Sequence, residues 1–311
     1  MKSVINQSHI EGILYEHNLE VKVTGPNSKN PGTEFITGTI SIATDDAGVN
    51  VVPVHFTYVT ATTARGGVNA TFTTLKNIAD GVLGTQMKDG KDNAVKLRVD
   101  SAVGLNEFYT DRNGKEELVS SKRNEGGFVH VVDTLTEDEK LRNTFKCDML
   151  ITGATRIEAN EERNLPEKVV VKGAIFDFRK ALLPVEFSIT NVKGMDYFED
   201  LGASQSNPVF TCVWGRQISE TIVRTIEEAS AFGDPSIREV RSSRKDFVIT
   251  GCSPEPYLWD DESTMTAQEL VEAIAARETY LATIKQRQAD YKASKGAAPA
   301  NAAPAAGSFN F

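Results

Sequence analysis

The strongest constraint on this chain is a recurring order of short segments: three strand-like runs, one short helical run, then two more strand-like runs. Residues Ile10 to Val23, "IEGILYEHNLEVKV", alternate apolar and polar side chains after an early Gly12. Phe35 to Ala43 and Val51 to Val59 repeat the rhythm, with Gly, Asn, Asp and Pro clusters between them. Asn69 to Gly84 changes period. Phe72, Leu75 and Ile78 or Leu83 fall on one face of a short helix there. Lys96 to Asp133 then carries a hairpin signal, Asn113-Gly114, and a Gly126-Gly127 pair where a bulge or sharp bend is expected.

Strand, strand, strand, helix, strand, strand is the order of the five-stranded Greek-key barrel called the OB-fold. The order recurs. Lys146 to Ala159, Lys168 to Phe178 and Pro184 to Val192 supply three strands, and Gly194 to Ala203 an interposed helical turn. Asn207 to Ser219 and Lys245 to Ser253 close the second barrel, and Ile222, Ile226 and Ala229 suggest a helix in the long connection from Glu220 to Arg244. The halves do not align by identity, so the repeat is one of pattern. The fold expected is mainly β: two tandem OB-like Greek-key barrels, a long C-terminal α-helix and a disordered tail. The division expected is 1–140 for the first barrel, 141–253 for the second, 254–295 for an acidic linker and helix, and 296–311 for an Ala/Pro tail.

The helix is predicted from Ala267 to Ser294. Thr266 with Glu269 fits a capping box, in which each side chain serves a free N–H at the helix start. Leu270, Ile274, Leu281, Ile284 and Tyr291 form an apolar stripe, which either packs on a barrel or docks a partner. Lys285, Arg287, Lys292 and Lys295 gather towards the other end, where cations suit the helix dipole. The tail, "KGAAPANAAPAAGSFNF", is an Ala/Pro linker too poor in bulky apolar residues to fold.

Composition narrows the function classes. No stretch of about 18 uninterrupted apolar residues exists, and "MKSVINQSHIEG" lacks the apolar middle of a signal peptide, so a cytoplasmic protein without membrane contact is expected. Cys147, Cys212 and Cys252 are odd in number and far apart, which suggests buried reduced thiols. The net charge of −9 runs against nucleic-acid binding in sum. Its distribution weakens that objection. Ser253 to Glu272 holds six acidic residues and no Lys or Arg, which leaves room for a basic groove elsewhere.

Motifs for catalysis fail one by one. Gly84 to Asp92 superficially resembles a phosphate-binding loop, but five residues separate its first two glycines and Asp92 stands where a Ser or Thr must reach magnesium. His9, His17, His55 and His130 have no metal-ligand spacing. No nucleophile is recognisably paired with a base. The carboxylate pairs Asp45-Asp46, Glu161-Glu162 and Asp260-Asp261 sit in turn-like stretches, where solvated loops are the plain explanation. A binding protein with no cofactor and no metal is therefore expected rather than an enzyme.

Single strands of nucleic acid are held by aromatic rings that stack on bases beside cations that follow the backbone. The candidates in the first barrel are Phe56, Tyr58, Arg65, Arg98, Phe108, Tyr109, Arg112, Lys115, Lys122 and Arg123. In the second they are Phe176, Phe178, Arg179, Lys180, Trp214, Arg216, Arg241, Arg244 and Lys245. Several fall on strands two and three or on the loops with which OB barrels bind. Strand alternation puts Phe56 with Tyr58, and Phe176 with Phe178, on one face each, which is either a binding face or simply the interior.

With "GLNEFYTDRNG", "SSRKDFVITGCSPEPYLWDDE" before a long helix, and the ending "GSFNF", the chain resembles phage-encoded, tandem OB-fold proteins of the single-stranded-DNA-binding type. The resemblance covers nearly the whole chain as an order of features, without an invariant motif. It implies non-sequence-specific binding of single-stranded DNA, without a cofactor, in phage replication or recombination in the cytoplasm of an infected bacterium. It also implies replication or recombination partners and leaves room for a homo-oligomer. Such proteins often end in an acidic tip with an aromatic terminus that docks on partners. Phe309 and Phe311 match the aromatic end, but Lys295 to Phe311 has no Asp or Glu, so partner docking and a plain disordered end stay open. Two other functions remain: a phage structural or assembly protein, and an adaptor that binds a host protein through barrel loops.

Overall fold

The structure, a computed structural model, describes residues 4–113, 115–160, 166–228, 236–259 and 265–296. Alternation produces strands as expected, but the first run is two collinear strands, β1 (Asn6–His17) and β2 (Glu20–Val23), because at Asn18 the side-chain Oδ1 accepts the Thr39 N–H at 2.6 Å and interrupts the backbone ladder. β3 (Glu34–Ala43) and β4 (Val51–Thr60) follow, then α1 (Ala70–Ala79) and a single turn, α2 (Gln86–Asp89). β5 (Lys96–Arg112) and β6 (Lys115–Val131) form a long ribbon. Its turn places Asn113 at φ 52°, as a tight hairpin requires. Gly126 and Gly127 are the bulge: Asp100 pairs with Phe128 but Ala102 with Glu125, and a Cβ on Gly127 would lie 2.1 Å from the Asp100 carbonyl oxygen.

The first barrel closes through β1–β3, β3–β4, β5–β6 and β1–β5 antiparallel pairs and one parallel pair, β4–β6. That is the OB strand order, with β2 continuing β1 along β3, His17 opposite Ile40 and Glu20 opposite Thr37. Inside it lie Ile10, Leu14, Ile36, Ile40, Phe56 and Leu97, plugged at one end by Phe72, Leu75 and Ile78 of α1.

β7 (Asn143–Ile157), β8 (Lys168–Phe176), β9 (Leu182–Ile189), α3 (Val192–Asp200), β10 (Val209–Glu228) and β11 (Ser236–Cys252) repeat the scheme. Antiparallel β7–β8, β8–β9, β10–β11 and β7–β10 pairs and the parallel β9–β11 pair close the second barrel. The helix expected around Ile222 and Ile226 is not formed. β10 and β11 instead continue as a ribbon, paired as far as Glu228 with Ser236, because the β-branched run Thr221, Ile222, Val223, Thr225 and Ile226 favours the pleated state. Ala229 lies outside the described residues.

The two barrels share one sheet. The N-terminal half of β1 pairs antiparallel with that of β7, Asn6 to Ile10 against Cys147 to Asn143, so the order β6-β5-β1-β7-β10-β11 runs across the junction. Buried amides seal it. The Asn124 amide donates to Gln217 Oε1 at 2.7 Å, while Gln217 Nε2 donates to Asn124 Oδ1 at 2.9 Å and to Ser8 Oγ at 2.6 Å. Asn143 caps the Gln217 carbonyl at 2.6 Å.

α4 (Ala267–Gly296) begins in the expected capping box: Glu269 N–H donates to Thr266 Oγ1 at 3.2 Å and Thr266 N–H to Glu269 Oε2 at 3.1 Å. Its start lies on the second barrel, where Met265, Leu270 and Ala273 cover Leu150, Phe176 and Phe210. Its middle reaches the first. Arg277 holds Glu107 of β5 through its two terminal guanidinium nitrogens, and Lys285 and Lys292 reach Glu116 at 3.0 Å and Asp111 at 2.7 Å. The stripe is therefore only partly apolar contact. Ile274 and Tyr291 face solvent, and charge on the neighbouring face completes the attachment.

Candidate nucleic-acid interface

In OB barrels the second and third strands carry the ligand face; here these are β3–β4 and β8–β9. The outer row of β4 runs Tyr58, His55, Pro53. Tyr58 packs on Phe35 with ring centroids 4.7 Å apart, and His55 Nδ1 lies 3.2 Å from Thr39 Oγ1. Pro53 enters a groove of about 830 Å³ between the barrels, whose opposite wall includes Lys172, Pro184 and Glu186 of β8–β9. The outer side of β4 at Pro53 and the outer side of β8–β9 thus meet in one cleft. Gln217 and Asn124 lie at its base, and Arg277 and Leu281 of α4 form one side.

Five cations (Lys122, Arg123, Lys172, Lys245 and Arg277) and three carboxylates (Glu107, Glu186 and Asp246) line this groove, so it is locally positive within an acidic chain. Lys172 faces Glu186 at 3.4 Å, and Arg123 Nε donates to Glu125 at 2.6 Å. Lys122 is set deeper. Its ammonium donates to the Glu186 carbonyl and lies 5.5 and 5.6 Å from the ring centroids of Phe187 and Phe247. Burial pushes its pKa below the ordinary lysine value, and Asp246 and Glu186 oppose that shift. Lys245 is exposed at the rim.

Of the residues expected to bind, the groove gathers Lys122, Arg123 and Lys245. Two expectations are corrected. Phe56 and Phe176 have no exposed surface; they belong to the interior of the first barrel and to the layer beneath α4. Neither shares a face with its neighbour two residues on. A bulge in β4, where Ile36 pairs with Val59 but Gly38 with Phe56, turns Tyr58 outward to 50% exposure. Phe178 lies beyond the end of β8 in a turn held by Asp177, is 88% exposed, and carries Arg179 over its ring at 5.0 Å; Lys180 adopts φ 66° in the same turn.

The other candidates are dispersed. Arg65 is exposed in the β4–α1 loop. Phe108, Tyr109, Arg112 and Lys115 lie towards the tip of the β5–β6 ribbon, where Lys285 sits 5.7 Å from the Tyr109 ring and Arg112 is 3.9 Å from Glu117. Arg244 is half-buried on β11. Arg98, Trp214 and Arg216 point to the outer side of the junction, away from the groove. The Arg241 side chain, Phe309 and Phe311 lie outside the described residues. Lys172, Phe35 and Arg277 escaped sequence reading. Lys172 had a signal, its outward place in "KVVVKG", whereas the role of Arg277 depends on where the helix lands.

A family model matches residues 5–287, across both barrels and most of α4. The chain belongs to the YorF family. No curated protein matches it. A crystal structure of wild-type single-stranded DNA binding protein from Thermus aquaticus aligns with 81% of this chain and 93% of that one, at 10% identity and a TM-score of 0.45. A likeness that remote carries no functional inference. Among the described residues no helix is long and apolar enough to cross a membrane, and no cluster of metal-ligating side chains occurs.

Proposed function

We propose that this protein binds single-stranded DNA without sequence specificity, in the groove between its two barrels. One observation carries the reading: β4 at Pro53 and β8–β9, strands that correspond to the OB ligand face, line the same cleft, and cations outnumber carboxylates there. The aromatic pair of Phe35 on β3 and Tyr58 on β4 extends that track with rings able to stack on bases. Lys245, exposed at the rim, pairs with phosphate, and Lys172 exchanges its exposed pair with Glu186 for a second phosphate; Lys122, set deeper and held by the Glu186 carbonyl, shapes the wall. A role in phage replication or recombination, with protein partners at the C-terminus, follows from the sequence resemblance alone and forms the outer layer of the proposal.

The test is fluorescence anisotropy of a labelled oligo-dT across a salt series, with duplex competitor. Binding that prefers single strands and weakens with salt is expected. Lys172→Glu with Lys245→Glu should weaken it at least about tenfold and lower the salt slope by about two, one phosphate contact per lysine. Absence of binding at low salt, or an unchanged slope in the double variant, would remove the groove reading in favour of a structural or adaptor protein.

A further inference from the structure

The junction has a second face. Outward positions on neighbouring strands line up across it: Phe128 of β6 opposite Asp100 of β5, Asp100 opposite His9 of β1, His9 opposite Thr144 of β7, and Thr144 opposite Arg216 of β10. One pair along, Gln7 faces Lys146 and Lys146 faces Trp214. Four interstrand steps of roughly 4.8 Å make this row about 19 Å wide. A hollow of about 600 Å³ lies within it, lined by His9, Thr144, Lys146 and Phe128 among others.

An aromatic ring stands open on each outer strand of this patch, Phe128 on β6 and Trp214 on β10. Phe128 is 69% exposed, aimed outward by the Gly126–Gly127 bulge just before it. Trp214 is 39% exposed and rests on the backbone at Gly251, where a Cβ would come within 2.5 Å of the indole Nε1. The glycine therefore lets a large ring lie against the sheet with its outer side free. Lys146 stands exposed between the two strands that carry the rings and Arg216 beside Trp214 on β10, while Asp100 and Glu11 are engaged by His9 at 2.9 and 3.5 Å. Rings on the two outer strands and exposed cations beside them complement the bases and phosphates of one nucleic-acid strand across a width of about 19 Å.

We infer that this outer face is a second contact surface for single-stranded nucleic acid, engaged when the strand is long enough to reach it from the groove. The inference rests on the single-strand reading above, and the two fail separately. Anisotropy on the full chain would compare dT oligomers of about 8 and about 30 nucleotides, short and long relative to one barrel's site. Phe128→Ala with Trp214→Ala should leave the short oligomer unaffected and weaken the long one at least about tenfold. Lys172→Glu with Lys245→Glu should weaken both.

The chain has two tryptophans, so in a Trp259→Phe background the emission reports Trp214. It should be quenched by the long oligomer and not by the short one. Wild-type-like binding of both lengths by the Phe128/Trp214 variant, with Trp214 emission unchanged, would overturn the second surface while leaving the groove standing. So would loss of self-association in that variant without loss of long-oligomer affinity, since the face would then serve a second copy of the chain. Failure of the wild type to bind either oligomer would instead sink the reading on which this rests.

Discussion

Arg277→Ala is the most incisive perturbation of the architecture. The Arg277 side chain is 10% exposed and the Glu107 side chain 2%, and two guanidinium nitrogens engage the two carboxylate oxygens. Truncating the arginine leaves a carboxylate in the junction without its partner. Breaking a buried pair from one side costs about 3 to 5 kcal/mol, or roughly two to three and a half decades in the folding equilibrium. Removing both charges behaves differently, because two apolar side chains of similar volume satisfy the same space. Arg277→Met with Glu107→Leu should therefore recover most of the loss. Urea unfolding followed by circular dichroism measures both, and exchange protection of the α4 amides shows whether the helix detaches first. A cost below about 1 kcal/mol for Arg277→Ala, or a double variant no better than the single, would refute the argument that this pair fastens α4 across the barrels.

Gln217→Leu should cost about 2 to 4 kcal/mol by thermal or urea unfolding, since Asn124 and Ser8 lose buried hydrogen bonds that an apolar side chain cannot replace. Phe56→Ala should cost about 3 to 5 kcal/mol through the cavity it leaves, while Phe178→Ala at an exposed turn should change stability by about 0.5 kcal/mol or less; equal losses would contradict the assignment of interior and surface. Burial depresses the pKa values of His17 and His55, with Lys88 and Arg123 adding to it. The unfolded chain therefore binds these protons first, so stability is retained above about pH 6.5 and falls as pH drops through that value towards the folded pKa values. His17→Gln with His55→Gln should flatten the melting temperature across that window, and an unaltered slope would exclude these two groups as its source.

Local pattern was enough for most of the architecture. Period-two alternation, the Asn113 hairpin, the glycine bulge and the Thr266–Glu269 capping box are all interactions within a few residues or between adjacent strands, so "DRNG" and "TAQE" carry them without help. Two local readings went astray for physical reasons. The bulge at Thr57 and Tyr58 broke the alternation that had joined Tyr58 to Phe56, and the β-branched run from Thr221 to Ile226 continued a ribbon where a helix was expected.

What only the tertiary structure decided is where the pieces meet. Pairing of β1 with β7 turned two barrels into one sheet, and that pairing brought Lys122 and Lys172, fifty residues apart, to one groove while sending Trp214 and Arg216 to the opposite side. The landing of α4 likewise made Arg277 a wall of that groove and the partner of Glu107. Sequence fixes which side of its own strand a residue occupies, because the pleat repeats every two residues. Which strand edges join, and so which outward faces become one surface, depends on contacts between residues far apart along the chain, and no local period records them.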